Sequence, residues 1–174
     1  MLLYSYKLLS LIFIEMYVRR GDVMKAIINA NFIDLDLSSN DKEAVIREMA
    51  GILLREDRIN DEEDYVASVM KRESIESTAI GFEVGIPHGR CNAVNDATVF
   101  FGRSKEGIVW NDSGELVNLI FLLAIPEKSE SDQHLKILAA LARKLMDTEF
   151  IEELKSGENK EAILSSLEET FQKK

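Results

Sequence analysis

The hydrophobic periods along the chain predict an α/β layered domain in which helices bracket a central sheet. Three observations carry that prediction. The segment LVNLIFLLAIP (116–126) is a nearly unbroken apolar run, as expected of a central strand covered on both faces. Stretches of period 3.6 flank it, one around Val45 to Leu53 and one around Leu135 to Leu145. No internal repeat and no long linker divides the 174 residues, so a single domain with a short appendage fits the length.

The elements follow in order. The first eighteen residues, MLLYSYKLLSLIFIEMYV, hold fourteen apolar side chains, but Lys7 and Glu15 leave seven residues between charges. Such a run is too short for a confident membrane span, and the basic start and small-residue cleavage site of a secretory signal are missing. Residues 1–23 are read as a hydrophobic extension, either a weak anchor or a non-native start upstream of Met24, and residues 24–174 as the domain. Arg19 and Arg20 would mark the inner side of an anchor, which leaves the domain in the cytoplasm on either reading. AIINANFIDLDL (26–37), with β-branched residues and alternation at Phe32, Asp34 and Asp36, predicts a first strand. Asn40 three residues before Glu43 makes a capping box, and Val45, Met49, Ile52 and Leu53 carry a helix to about Arg55. Asn60 caps a second helix, with Asp61 to Asp64 at its positive end, Val66, Val69 and Met70 inward, and Lys71 and Arg72 in its last turn. From Thr78 the pattern is short and extended through AIGFEVGIPHG, and ATVFFGRS (97–104) reads as a strand. Beyond Pro126, Leu135, Leu138, Ala142 and Leu145 form the core stripe of a third helix; shorter helices span about Glu149 to Lys155 and Lys160 to Phe171, parted by Gly157.

Composition narrows the function classes. Hydrophobic residues at 46% and charged residues at 30% are those of a globular chain. Twenty-one basic against thirty-one acidic residues give a net charge of -10, which disfavours nonspecific binding of nucleic acid or anionic lipid. One cysteine and two histidines form no disulfide or metal framework, and the expected compartment is the reducing cytoplasm.

The two histidines are the sparsest reactive side chains, and both fall at element ends. His88 lies between Pro87, which pins the backbone, and Gly89, which offers no side chain to obstruct an approaching group. His134 follows Ser131 and Asp132 near a helix start, where unpaired N–H groups and the helix dipole favour an anion. Together they point to anion handling.

Separated motifs then agree on a family. Arg72-Glu73, Ser77-Thr78-Ala79-Ile80-Gly81, Gly85-Ile86-Pro87-His88-Gly89, Gly102-Arg103-Ser104-Lys105-Glu106-Gly107-Ile108 and Asp132-Gln133-His134-Leu135 resemble, in order and spacing, enzyme IIA of the fructose/mannitol type from the phosphoenolpyruvate-dependent sugar phosphotransferase system, a family that includes a nitrogen-regulatory branch. The resemblance covers about residues 24 to 170. It implies a mixed sheet flanked by helices on both faces, with no metal and no cofactor. It also implies that His88 accepts a phosphoryl group from the phosphocarrier HPr and passes it to a cysteine of a IIB protein. The membrane permease IIC is then an indirect partner, and neither sugar nor nucleic acid is bound directly. By the same resemblance His134 is the second site histidine and Arg72 the site arginine.

The residues suit such chemistry. A phosphoryl group migrates through a loose transition state with charge on its equatorial oxygens, so positioning and electrostatic complementarity do most of the catalysis. Arg72 offers a planar fork to those oxygens, His134 an N–H donor, and Thr78 a hydroxyl. Thr78, Gly89 and Arg103 are supporting candidates. Cys91, three residues after His88, has no separate base at that spacing, and zinc on His88, Cys91 and His134 lacks paired ligand spacing. Phe82 and Glu83 depart from the family pattern, and strand alternation would turn Glu83 away from His88. A regulatory module of the nitrogen-related branch and a noncatalytic interaction domain are the two alternatives.

Overall fold

The computed structural model describes residues 27–129 and 131–172, with side chains at all of these except 131–134 and 172. The proposed extension, residues 1–23, lies outside the described residues. A single 3-10 turn (Ala30–Phe32) leads into β1 (Ile33–Asp34), followed by α1 (Lys42–Arg55), α2 (Glu62–Ile75), β2 (Val84–Gly85), β3 (His88–Cys91), β4 (Thr98–Val109) and β5 (Leu116–Pro126). Three helices complete the chain: α3 (Ser131–Lys144), α4 (Thr148–Ser156) and α5 (Lys160–Gln172). Among these residues no helix is long and apolar enough to cross a membrane.

The sheet is mixed, in the order β1-β4-β5-β2, with β3 also on β5. Its centre is the antiparallel β4/β5 pair, while β1 joins β4 and both β2 and β3 join β5 in parallel. The apolar run at 116–126 is that central strand. Leu119, Phe121, Leu123 and Ile125 enter one core with Ile137, Leu141, Leu154 and Ile163. Ile120, Leu122 and Ala124 enter the other, with Val45, Met49, Tyr65 and Val69. Alternate residues of one strand thus feed both cores, so helices are needed on both faces.

Four local expectations change. In the segment expected as a first strand, Asn29 caps the 3-10 turn with its side chain on the Asn31 N–H, and only Ile33 and Asp34 pair with β4. Asp41 caps α1, accepting from the Glu43 and Ala44 N–H groups, and Asp61 caps α2, accepting from Asp64. Each cap stands one residue after the asparagine expected, since the carboxylate there reaches donors two and three residues on. In α3 the buried stripe is Ile137 and Leu141, continued by Leu145 just past the helix, whereas Leu135 is 56% exposed. β4 runs on to Val109 through an irregularity between Arg103 and Ile108.

Candidate functional site

β3 is an edge segment whose backbone pairing with β5 places each residue. Its register sets His88 beside Leu123, which belongs to the α3–α5 core, and Gly89 beside Ala124, which belongs to the α1–α2 core. Paired residues share a face, so the His88 ring stands on the α3 side of the sheet. The Leu123 N–H donates to the Pro87 carbonyl at 3.0 Å, which locks the residue before His88 to the central strand. His88 is half-buried. Its Nδ1 lies 3.0 Å from the Ile86 carbonyl oxygen. A carbonyl can only accept, so Nδ1 carries the proton and the neutral ring keeps its lone pair on Nε2.

The other expected residues divide. His134 is the fourth residue of α3, and its side chain lies outside the described residues. The chain path carries its helix to the face of the sheet that holds Leu123, because Ile137 and Leu141 pack in the same core. Arg90 ties the two together: its Nη2 donates to the carbonyls of Glu127 (2.9 Å) and Ser129 (3.3 Å), the connection between β5 and α3. Arg72 is half-buried in the last turn of α2, one turn (about 5.4 Å) beyond Ser68, whose hydroxyl donates to the Arg90 carbonyl. Its Nη1 donates to the Glu76 carbonyl at 2.9 Å, which engages one of five guanidinium donors.

Three supporting candidates turn out to serve the fold. Arg103 is 9% exposed, and its Nη1 donates to the carbonyls of Leu154, Lys155 and Gly157 at 3.0, 3.0 and 2.7 Å, while Nε donates to Leu35. It closes the C-terminus of α4. Arg103 pairs with Leu119, four residues or about 13 Å along β5 from the row of His88. Gly89 faces α2, where an added β-carbon would lie 2.8 Å from Val69 Cγ2, so its missing side chain admits the helix and not an incoming group. Thr78 is buried, and its hydroxyl donates its one proton to the Glu73 carboxylate.

Glu73 is the residue that sequence reading overlooked. It is 6% exposed, accepts from the Thr78 N–H at 3.3 Å and the Trp110 Nε1–H at 3.4 Å, and lies 3.7 Å from Lys42 Nζ. Its place in the Arg72-Glu73 motif, directly after the site arginine that the resemblance implies, was the available signal. Glu83 does point away from His88, but alternation is not the reason. Gly81, Phe82 and Glu83 all have positive φ (85°, 55° and 63°), forming a left-handed turn, and the Glu83 carboxylate pairs with Lys155 of α4. A cleft of about 400 Å³ lies there too, between Glu83, Arg103, Asn118 and Lys155, well apart from His88.

The comparisons with known proteins decide the family. Residues 26–170 match the family described as phosphoenolpyruvate-dependent sugar phosphotransferase system, EIIA 2. The chain belongs to this family. It is 34% identical to the PTS system fructose-like EIIA component of Escherichia coli (strain K12) over 147 residues, 84% of this chain and 98% of that protein. It is 35% identical over 133 residues to the PTS system fructose-specific EIIABC component of Bacillus subtilis (strain 168), 76% of this chain but 21% of that protein. Among solved structures, nitrogen regulatory protein IIA-Ntr from Neisseria meningitidis superposes with a TM-score of 0.74 at 31% identity, over 81% of this chain and 96% of that one. The EIIA role, carrying phosphoryl groups in the sugar phosphotransferase system or its nitrogen-regulatory branch, is therefore the role of this chain.

Proposed function

We propose that His88 is the phosphoryl acceptor of this chain, taking the group on Nε2 from phospho-HPr and passing it to a cysteine of a IIB partner. The observation that supports this reading most is the ring's tether: Nδ1–H held by the Ile86 carbonyl, on a half-exposed edge segment. In the forward step the Nε2 lone pair attacks phosphorus in line as the P–N bond of the donor phosphohistidine breaks. The donor ring keeps that electron pair. His88 becomes a cationic phosphoimidazole whose Nδ1–H still points at a carbonyl, and the bond strengthens as charge develops. In the return step the cysteine thiolate takes phosphorus and the pair goes back to Nε2. Arg72, at the end of α2, and His134, in the first turn of α3, are the proposed electrostatic partners for the equatorial oxygens. On a chain of net charge -10 such cations are needed to receive a group of about -2. Sugar is not a ligand on this reading, and the compartment is the cytoplasm, with membrane contact only through IIC. The name of the Bacillus relative, which joins EIIA, B and C in one chain, supports a IIB partner.

Incubation with phosphoenolpyruvate, enzyme I and HPr tests the assignment. Acid-labile, base-stable label is expected on the wild type and none on His88→Ala; label surviving in the variant overturns it. The likeness to IIA-Ntr favours a second reading, in which the phosphorylation state regulates other proteins. Rapid transfer from the labelled chain to a IIB cysteine selects transport, and stable retention of label selects regulation.

A further inference from the structure

Behind His88 runs a continuous set of hydrogen bonds that ends in a buried carboxylate. The Ile86 carbonyl that holds Nδ1 belongs to a residue whose own N–H donates to the Thr78 carbonyl at 3.0 Å. The 78–80 segment pairs back on 84–86 through the Ala79–Gly85 bridge and the bond from the Ile80 N–H to the Val84 carbonyl at 3.0 Å. At the other end Thr78 is clamped twice by Glu73, through its N–H and through its hydroxyl. Glu73 is itself fixed by Trp110 and Lys42, and Lys42 Nζ donates to the Trp110 carbonyl at 2.7 Å. The hairpin carries a strained turn, with Phe82 and Glu83 both left-handed, so its own conformational preference does not hold it in this shape. β2 and the bond from the Leu123 N–H to the Pro87 carbonyl tie one side of the hairpin to β5, and the last turn of α2 holds the other side at Thr78.

Resting on the reading of His88 as phosphoryl acceptor, we infer that Glu73 is a positioning residue for that histidine: from the end of α2 it clamps Thr78, and through the Thr78–Ile86 pairing it aims the carbonyl that selects the ring's tautomer. Glu73 touches neither the ring nor the phosphoryl group. Its contribution lies in keeping Nδ1 protonated and Nε2 nucleophilic. A carboxylate suits the place because the four groups that Thr78, Trp110 and Lys42 turn toward it are all donors, and an amide would set its own N–H₂ against some of them.

Glu73→Gln is the test, read on the unphosphorylated full chain by ¹⁵N-coupled NMR of the His88 ring and on the phosphorylated chain by ³¹P NMR. The expected outcome is loss of the single Nδ1–H tautomer, a mixture of Nδ1- and Nε2-phosphohistidine, and phosphoryl acceptance slowed about five- to tenfold, the equivalent of one net hydrogen bond. Leu53→Ala, a buried change at the far end of α1, about three turns from Lys42, is the destabilised control, and it keeps the tautomer and the wild-type rate. If Glu73→Gln fails to fold, Thr78→Val removes the same hydroxyl clamp and is expected to give the same ring signature. A wild-type tautomer with wild-type regiochemistry in whichever variant folds overturns the inference. The tautomer measurement needs no phosphate, so its failure is separate from failure of His88 to take label, which would sink the acceptor reading alone.

Discussion

At Gly89 a β-carbon would meet Val69 Cγ2 at 2.8 Å and Tyr65 Cε2 at 3.0 Å, closer than real side chains pack. Both neighbours are fully buried, and the Tyr65 hydroxyl is tied to the Leu123 carbonyl at 3.0 Å. Neither can retreat without moving α2. Gly89→Ala is therefore expected to destabilise the domain by about 1 to 3 kcal/mol, the range for overpacking a core. Urea unfolding measures it, and unchanged stability would show that α2 can yield there. The sequence marked this glycine as special but assigned it to the wrong neighbour. Proximity to His88 in the chain suggested room for a ligand; in the fold, successive residues of a strand face opposite sides, and Gly89 serves the helix behind.

Among the elements, α4 depends most on a residue from elsewhere. Its last carbonyls have no partner within the helix, and the Arg103 guanidinium collects those of Leu154, Lys155 and Gly157. Arg103→Met would leave them unsatisfied in a largely buried place, at a cost of about 2 to 4 kcal/mol. Phosphoryl acceptance per folded molecule should stay within about twofold of wild type, since the site lies too far away to couple. A stability near wild type with impaired transfer would return Arg103 to the site. Boundaries of α4, α5 and β5 were legible because period and breakers are local signals. The α3 stripe was not: its apolar residues permit two phases, and only the sheet beneath selects Ile137 and Leu141 over Leu135 and Ala142.

For the molecule as a whole, the buried Tyr65 and the half-buried Cys91 make stability depend on alkaline pH. Burial pushes the Tyr65 hydroxyl well above the ordinary tyrosine range, and burial also raises the Cys91 thiol. A raised folded value means that the native state keeps a proton which the unfolded chain releases. Stability from Tyr65 is thus complete below about pH 10 and declines as pH rises beyond it, by at most about 1.4 kcal/mol per pH unit. Tyr65→Phe lacks that dependence, so between about pH 9.5 and 11 it should lose roughly 1 kcal/mol less unfolding free energy than wild type in urea titrations. Equal losses would remove Tyr65 as a cause. The sequence by itself determined the fold class and the family, because period, punctuation and motif spacing are written along the chain. Tertiary structure alone decided where the supporting candidates are engaged. Arg103 and Thr78 are drawn off by α4 carbonyls and by Glu73, and a buried polar group takes whichever partner the packed fold brings within reach, at a separation in sequence that no local pattern records.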